Sequence, residues 1–146
     1  MNKISNWLII PFIAIALLGF IDALYLSISH IQGTNLVCSI LDGCDVVTNS
    51  QFSMWGPVPV AFAGMFYYLS VFFFAFLAYT TKKENIFKFT LLLTVFGFLF
   101  SLYFVYLQVF VINALCLYCI ISATSSTLLF IFEIIIWKGL SKTNTN

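Results

Sequence analysis

The sequence predicts an all-α integral membrane protein, a four-transmembrane-helix bundle with a short cap loop on its extracytoplasmic side. Three observations predict it. Of 146 residues, 62% are hydrophobic and 8% charged, with 18 Phe and no Arg. A soluble domain this small has too much surface for its volume to hide so many apolar side chains. Apolar runs of crossing length recur, a span needing roughly 20 residues at about 1.5 Å each to traverse about 30 Å of hydrocarbon. Finally, the lysines are confined to alternate ends of those runs.

The first span covers residues 7–29 and is interrupted only by Asp22. Its apolar run exceeds the roughly 7–15 residues of a signal-peptide core, so it is expected to remain as a membrane helix. The second covers 58–79 and is entered through Gly56-Pro57-Val58-Pro59, since prolines are tolerated in a first helical turn. From Phe87 to Trp137 the chain is almost unbroken hydrophobe, too long for one crossing. Polar punctuation between Gln108 and Asn113 divides it into spans 87–109 and 114–137. Residues 1–140 thus read as one membrane domain and 141–146 as a disordered tail.

Charge sets the orientation. Lys3, Lys82, Lys83, Lys88, Lys138 and Lys142 lie at the N-terminus, the second connection and the C-terminus. The connections 31–55 and between spans three and four carry neither Lys nor Arg. By the positive-inside tendency both termini are expected in the cytoplasm and the lysine-free loops outside. Trp7 and Trp137 are expected as anchors of the inner interface, and Glu133 and Lys138 as interfacial. A net charge of +1 without a basic patch offers nothing to nucleic acid.

All four cysteines fall on the lysine-free side: Cys38 and Cys44 in the first loop, Cys116 and Cys119 at the start of the last span. An oxidising compartment there permits disulfides. A bridge within Cys116-Leu-Tyr-Cys119 closes almost no loop, so it does little for stability, and C-x-x-C spacing is that of a redox pair. Positions i and i+3 share one helix face, and the amides at a helix start favour the thiolate that carries out exchange. Two structural bridges, or four thiolates around zinc, are the other readings of these residues. Five residues separate Cys38 from Cys44, wider than the usual zinc knuckle.

The order of these residues resembles the vitamin K epoxide reductase family in its bacterial, quinone-linked form. The resemblance rests on Cys38, on Cys44-Asp-Val-Val-Thr-Asn-Ser50, on Trp55-Gly-Pro-Val-Pro, and on Cys116-Leu-Tyr-Cys119-Ile-Ile-Ser-Ala. Gly19-Phe-Ile-Asp-Ala-Leu-Tyr25-Leu-Ser and His30 add to it, so that it covers about residues 7–135. The DsbB family places its C-x-x-C in the first outer loop, the reverse of the order here.

The resemblance implies a relay. Cys38 would engage a thioredoxin-like (DsbA-like) periplasmic protein through a mixed disulfide, and Cys44 would hand the disulfide inward through a transient bond to Cys116. Cys119 would lie against a quinone, ubiquinone or menaquinone, with Ser50 donating a hydrogen bond toward it. It further implies a multi-pass protein of a bacterial inner membrane with no metal. Because the sequence stops at Asn146, without the fused thioredoxin-like domain of many bacterial members, the partner is expected to be a separate polypeptide. Val60 and Ala123 stand where vertebrate members have asparagine and tyrosine, which favours plain quinone reduction over reduction of vitamin K epoxide.

Other residues carry two readings. Asp22, about seven residues or about 10 Å below the outer end of its helix, is either a proton-exchanging group near the quinone or a carboxyl hydrogen-bonded to Ser or Tyr inside the bundle. Tyr103, Tyr106 and Tyr118 cluster toward the outer end as quinone-pocket walls or as aromatic belt. Tyr106, Tyr118, Asp22 and Ser50 are the candidate quinone contacts. His30 is a base or a tolerated interfacial residue, and Asp42 and Asp45 flank the loop thiols.

Overall fold

The computed structural model describes residues 3–33 and 43–143. Cys38 and Asp42 lie outside the described residues. Four long helices dominate: α1 (Lys3–Gln32), α3 (Val60–Thr81), α4 (Glu84–Tyr106) and α5 (Leu117–Thr143). Between α1 and α3 lie the short α2 (Cys44–Thr48), a 3₁₀ turn (Gln51–Ser53) and a two-stranded hairpin, β1 (Met54–Trp55) with β2 (Val58–Pro59). The segments Trp7–Gln32, Val60–Thr81, Asn85–Ile112 and Leu117–Gly139 are long and apolar enough to cross a membrane. The chain is a multi-pass membrane protein.

The second long helix begins two residues later than position 58. Pro59 restricts Val58 to extended backbone, and Val58 pairs with Trp55 while Pro59 pairs with Met54. Gly56, at φ +65°, makes the tight reversal between them. The expected break between α4 and α5 takes a specific form. The helix widens into a π turn over Leu107–Ile112 and stops at Asn113, which adopts the left-handed conformation at φ 53°, as asparagine does at helix ends. At the other end of the chain α5 continues to Thr143, into the segment read as a tail.

Helix α1 packs against α3 and α5, and α4 packs against the same two, so the four form a closed ring. Small residues let them approach, as is usual where lipid removes the hydrophobic drive between helices. Gly19 of α1 sits under the ring of Tyr68, and Gly97 of α4 under Tyr67, so closely that a side-chain carbon at either glycine would overlap the tyrosine. The central core joins Phe12, Ala16, Ala23, Tyr68, Val71, Ala75 and Leu129. Toward the lysine-bearing ends, Ile9, Ala78, Phe87 and Ile136 form a second cluster. Leu18, Phe66, Phe73, Leu92 and Leu99 are exposed, as befits helices whose outer solvent is hydrocarbon. Glu133, expected at the inner interface, is 1% exposed, inside the bundle. Trp137 stacks on Phe87 at 6.4 Å, with the Lys88 ammonium 5.9 Å from its ring centre.

Candidate active site

At the end of the bundle away from the lysines, Leu26, Cys44, Val47 and Cys116 form one buried cluster, with Cys119, Tyr118 and Ala61 packed against it. Cys44 and Cys116 are 1% and 0% exposed. Thus α2 delivers Cys44 to the start of α5. The closeness depends on Gly43, because a Cβ there would lie 2.7 Å from the Leu115 carbonyl oxygen and 2.8 Å from its nitrogen. Real Cβ atoms do not come so near backbone. Cys44 is disulfide-bonded, whereas Cys116 and Cys119 carry free thiols.

Cys116 occupies the cap position of α5. Its carbonyl accepts from the Ile120 amide at 3.0 Å, and its sulfur accepts from the Cys119 amide at 3.4 Å. A helix start leaves amides without partners, and here the sulfur takes one of them. The Cys116 thiol is held below its ordinary pKa, chiefly by the hydrogen bond with the Cys119 side chain; burial opposes this, and the amides of Cys119 and Tyr118 reinforce it. The amide of Cys116 donates to Gln108 Oε1 at 3.1 Å, and the Ala114 amide donates to the Gln108 carbonyl at 3.1 Å. Gln108, buried in the π turn, therefore clamps the Asn113–Cys116 segment from both sides. Without it the buried Cys116 amide would lose its partner, a penalty of about 1–3 kcal/mol.

Cys119, one turn deeper, lines a cavity of about 260 Å³ enclosed by the four long helices and roofed by the 3₁₀ turn and hairpin. Phe96, Phe100, Phe104, Phe52, Leu26 and Trp55 supply much of its apolar wall. Trp55 packs on Phe100 at 6.0 Å. Its polar groups include Tyr67, Tyr68, His30, Ser50 and Ser126. Tyr68 donates to the Ser122 carbonyl at 2.6 Å, and the hydroxyls of Tyr67 and Ser126 are 3.4 Å apart. The cavity is slightly smaller than the roughly 300–1,000 Å³ of small-molecule sites.

Of the residues expected from sequence, Cys119 and Ser50 line this cavity, as does His30. The Ser50 hydroxyl, however, donates to the Val47 carbonyl at 2.7 Å. Tyr106, Tyr118 and Asp22 do not line it. Tyr106 is exposed and packs on Phe110 at 5.1 Å, and Tyr103 is exposed beside Phe104. Tyr118 packs on Tyr25 at 5.1 Å beside the cysteine cluster. Asp22 is half-buried, and its Oδ2 is without a hydrogen bond. Val60 and Ala123 both line the cavity. Sequence reasoning missed Tyr67, Tyr68, Gln108 and Gly43; the facing glycines, which mark helix contacts in membranes, were the available signal for the two tyrosines. Among the described residues no three His, Cys, Asp or Glu side chains gather in a way that could hold a metal ion.

Fold and site define a membrane thiol oxidoreductase: a helix-capping cysteine beside a buried disulfide cysteine, and a second thiol on an aromatic cavity. The vitamin K epoxide reductase family model matches residues 10–134, most of the chain, and the protein belongs to that family. Its class of activity is accordingly membrane oxidation and reduction of thiols and quinones. No curated protein matches the chain.

Proposed function

We propose that the protein reoxidises a thioredoxin-like protein on the cysteine-bearing side and passes the two electrons to a membrane quinone, driving disulfide formation. The observation that carries this reading is the division of the C-x-x-C pair: Cys116 is buried with Cys44, while Cys119 faces the cavity. A thiolate of the partner attacks Cys38 of a Cys38–Cys44 disulfide, and the partner's second thiol resolves the mixed disulfide, leaving the partner oxidised and both loop thiols reduced. The Cys44 thiolate then attacks Cys116 of a Cys116–Cys119 disulfide. Cys38 attacks Cys44 in turn, restoring the loop disulfide and expelling Cys116 as a thiolate. Its lowered pKa makes Cys116 the better leaving group.

The quinone, when bound, accepts two electrons and two protons as the Cys116–Cys119 disulfide re-forms. The cavity residues orient its ring against the Cys119 sulfur, and the phenylalanines exclude water. Tyr67 holds a hydroxyl on the cavity wall where a carbonyl oxygen needs a donor, beside Ser126 of α5, while the Tyr68 hydroxyl gives its proton to the Ser122 carbonyl and packs as part of the wall. The apolar Val60 and Ala123 on the wall support plain quinone reduction over epoxide reduction. The acceptor is ubiquinone or menaquinone, the setting a bacterial inner membrane with the cysteines on the periplasmic side and both termini in the cytoplasm. Purified protein mixed with a reduced thioredoxin-like protein and a short-tailed ubiquinone is expected to bleach the quinone absorbance in step with loss of partner thiols. Oxidation of the partner with no change in quinone absorbance would refute the assignment.

A further inference from the structure

Glu133 has no part in that relay, yet it is 1% exposed and its Oε1 is buried without a hydrogen-bond partner. It faces a small second cavity of about 10 Å³ near the lysine-bearing end, walled by Ile9, Ala78, Phe87 and Ile136, with Thr90 as its other polar lining residue. That volume is at the lower limit for one water molecule. Two oxygen-bearing side chains are too few for a hard cation, which takes six or more oxygens, so the occupant the site fits is a proton, with or without a water.

The carboxyl also stands in line with the first cavity. Ser126 lies seven residues earlier on α5, on the same helix face and about 10 Å away along the axis. Its hydroxyl is 3.4 Å from that of Tyr67, and Ser126 and Tyr67 both line the aromatic cavity. On α4, Thr90 and Thr94 are buried one turn apart on one face and bond back to their own helix at 3.1 Å and 3.0 Å, which leaves their oxygens as acceptors. Buried acidic groups inside membrane bundles mark ion or proton pathways. Of the titratable groups toward this end, Tyr67 of α3 lies on the aromatic cavity beside Ser126, and Lys88 of α4 is turned onto Trp137.

We propose that Glu133 carries protons from the lysine-bearing side toward the quinone cavity, through Ser126 and Tyr67. This rests on the quinone-reducing reading above. The partner dithiol loses two electrons and releases two protons on the cysteine-bearing side. Reduction of the quinone consumes two electrons and two protons, and one of those protons comes through the file. The Glu133 O–H bond breaks as a quinone O–H bond forms at the far end, and the carboxylate is reprotonated from the aqueous phase by the lysines. Each turnover therefore moves one proton's worth of positive charge outward, from the lysine-bearing side to the cysteine-bearing side.

The test uses the full chain in sealed vesicles with a short-tailed ubiquinone, a pH dye trapped in the lumen and a reduced thioredoxin-like protein outside. That protein reaches only molecules whose cysteines face outward. The lumen is expected to lose about one proton per hydroquinone, and Glu133→Gln to abolish this uptake and slow quinone reduction about a hundredfold. Mixed-disulfide formation with the outside protein is expected to proceed unchanged in that variant, showing that it is folded. Infrared difference spectra of the protein alone are expected to show the carbonyl stretch of a protonated acid, absent in Glu133→Gln. Glu133→Asp is expected to retain uptake at a reduced rate. Quinone reduction without lumenal uptake, or undiminished uptake in Glu133→Gln, would overturn the proposal alone. Absence of quinone reduction in the unaltered protein would overturn it together with the reading beneath it.

Discussion

Replacing Cys119 with alanine is expected to lower quinone reduction on the order of a thousandfold, because it removes the sulfur that lines the ring cavity and the partner with which Cys116 forms the inner disulfide. In the variant the lone Cys116 thiolate attacks Cys44 of the loop disulfide and expels Cys38 as a thiolate, a step that does not need Cys119. Without a neighbour to expel it, the Cys44–Cys116 bond has no inward route of resolution, so the variant should accumulate that linkage when its loop disulfide is intact. Quinone absorbance and non-reducing mass spectrometry read the two consequences separately. A merely structural Cys119 would give neither, since a thiol-to-methyl change at a half-buried position costs little packing.

The second large effect is expected at Gly43. Its backbone, at φ −93° and ψ −1°, is open to any residue, so the requirement for glycine is one of space. The Cβ of Gly43→Ala would press on the Leu115 backbone, which cannot rotate away as a side chain would. Either α2 or the Asn113–Cys116 segment must move, and Gln108 resists the second. A displacement near 1 Å between reacting groups costs about a hundredfold in rate. Exchange between Cys44 and Cys116 should slow by about that factor in stopped-flow measurements. Direct reduction of the inner pair by dithiothreitol should stay within about twofold, because the Cys116 cap itself is intact. Equal slowing of both reactions would mean that the substitution had disrupted the whole outer end.

The parts of this site that were legible in the sequence are those encoded by spacing. The i, i+3 relation of Cys116 and Cys119 implied one helix face and different depths, and the structure places Cys116 at the helix cap and Cys119 one turn below, on the cavity. The lysine distribution and the four apolar runs led to the four-helix membrane bundle. Helix faces were not legible. In a soluble helix polar residues mark the outer face, but here the outer face of α3 carries Phe66 and Phe73 and its inner side Tyr67, Val71 and Phe72. Apolarity therefore could not separate wall from lipid contact, and Tyr103, Tyr106 and Tyr118, which cluster toward the outer end, lie off the cavity that Tyr67 and Tyr68 line.

Gln108 shows the same limit. As a polar residue amid hydrophobes it marked the break between two spans, but its hold on Cys116 depends on the π turn, which no local composition signals. Glu133 was placed at the interface by its distance from the chain end. The structure buries it because the ring of helices closes over it, with Ile9 and Phe87 from α1 and α4 on its cavity. Both residues owe their significance to contacts across the bundle.

The central claim is that Cys44 and Cys116 exchange a covalent bond. Membranes containing the unaltered protein, quenched in acid during turnover with a reduced thioredoxin-like protein, then alkylated and digested, provide the direct measurement. A peptide pair joined through Cys44 and Cys116 should appear, rising and falling with turnover. If only Cys38–Cys44 and Cys116–Cys119 bridges are found at every time point while quinone is being reduced, electrons do not pass between these two sulfurs and the relay is wrong.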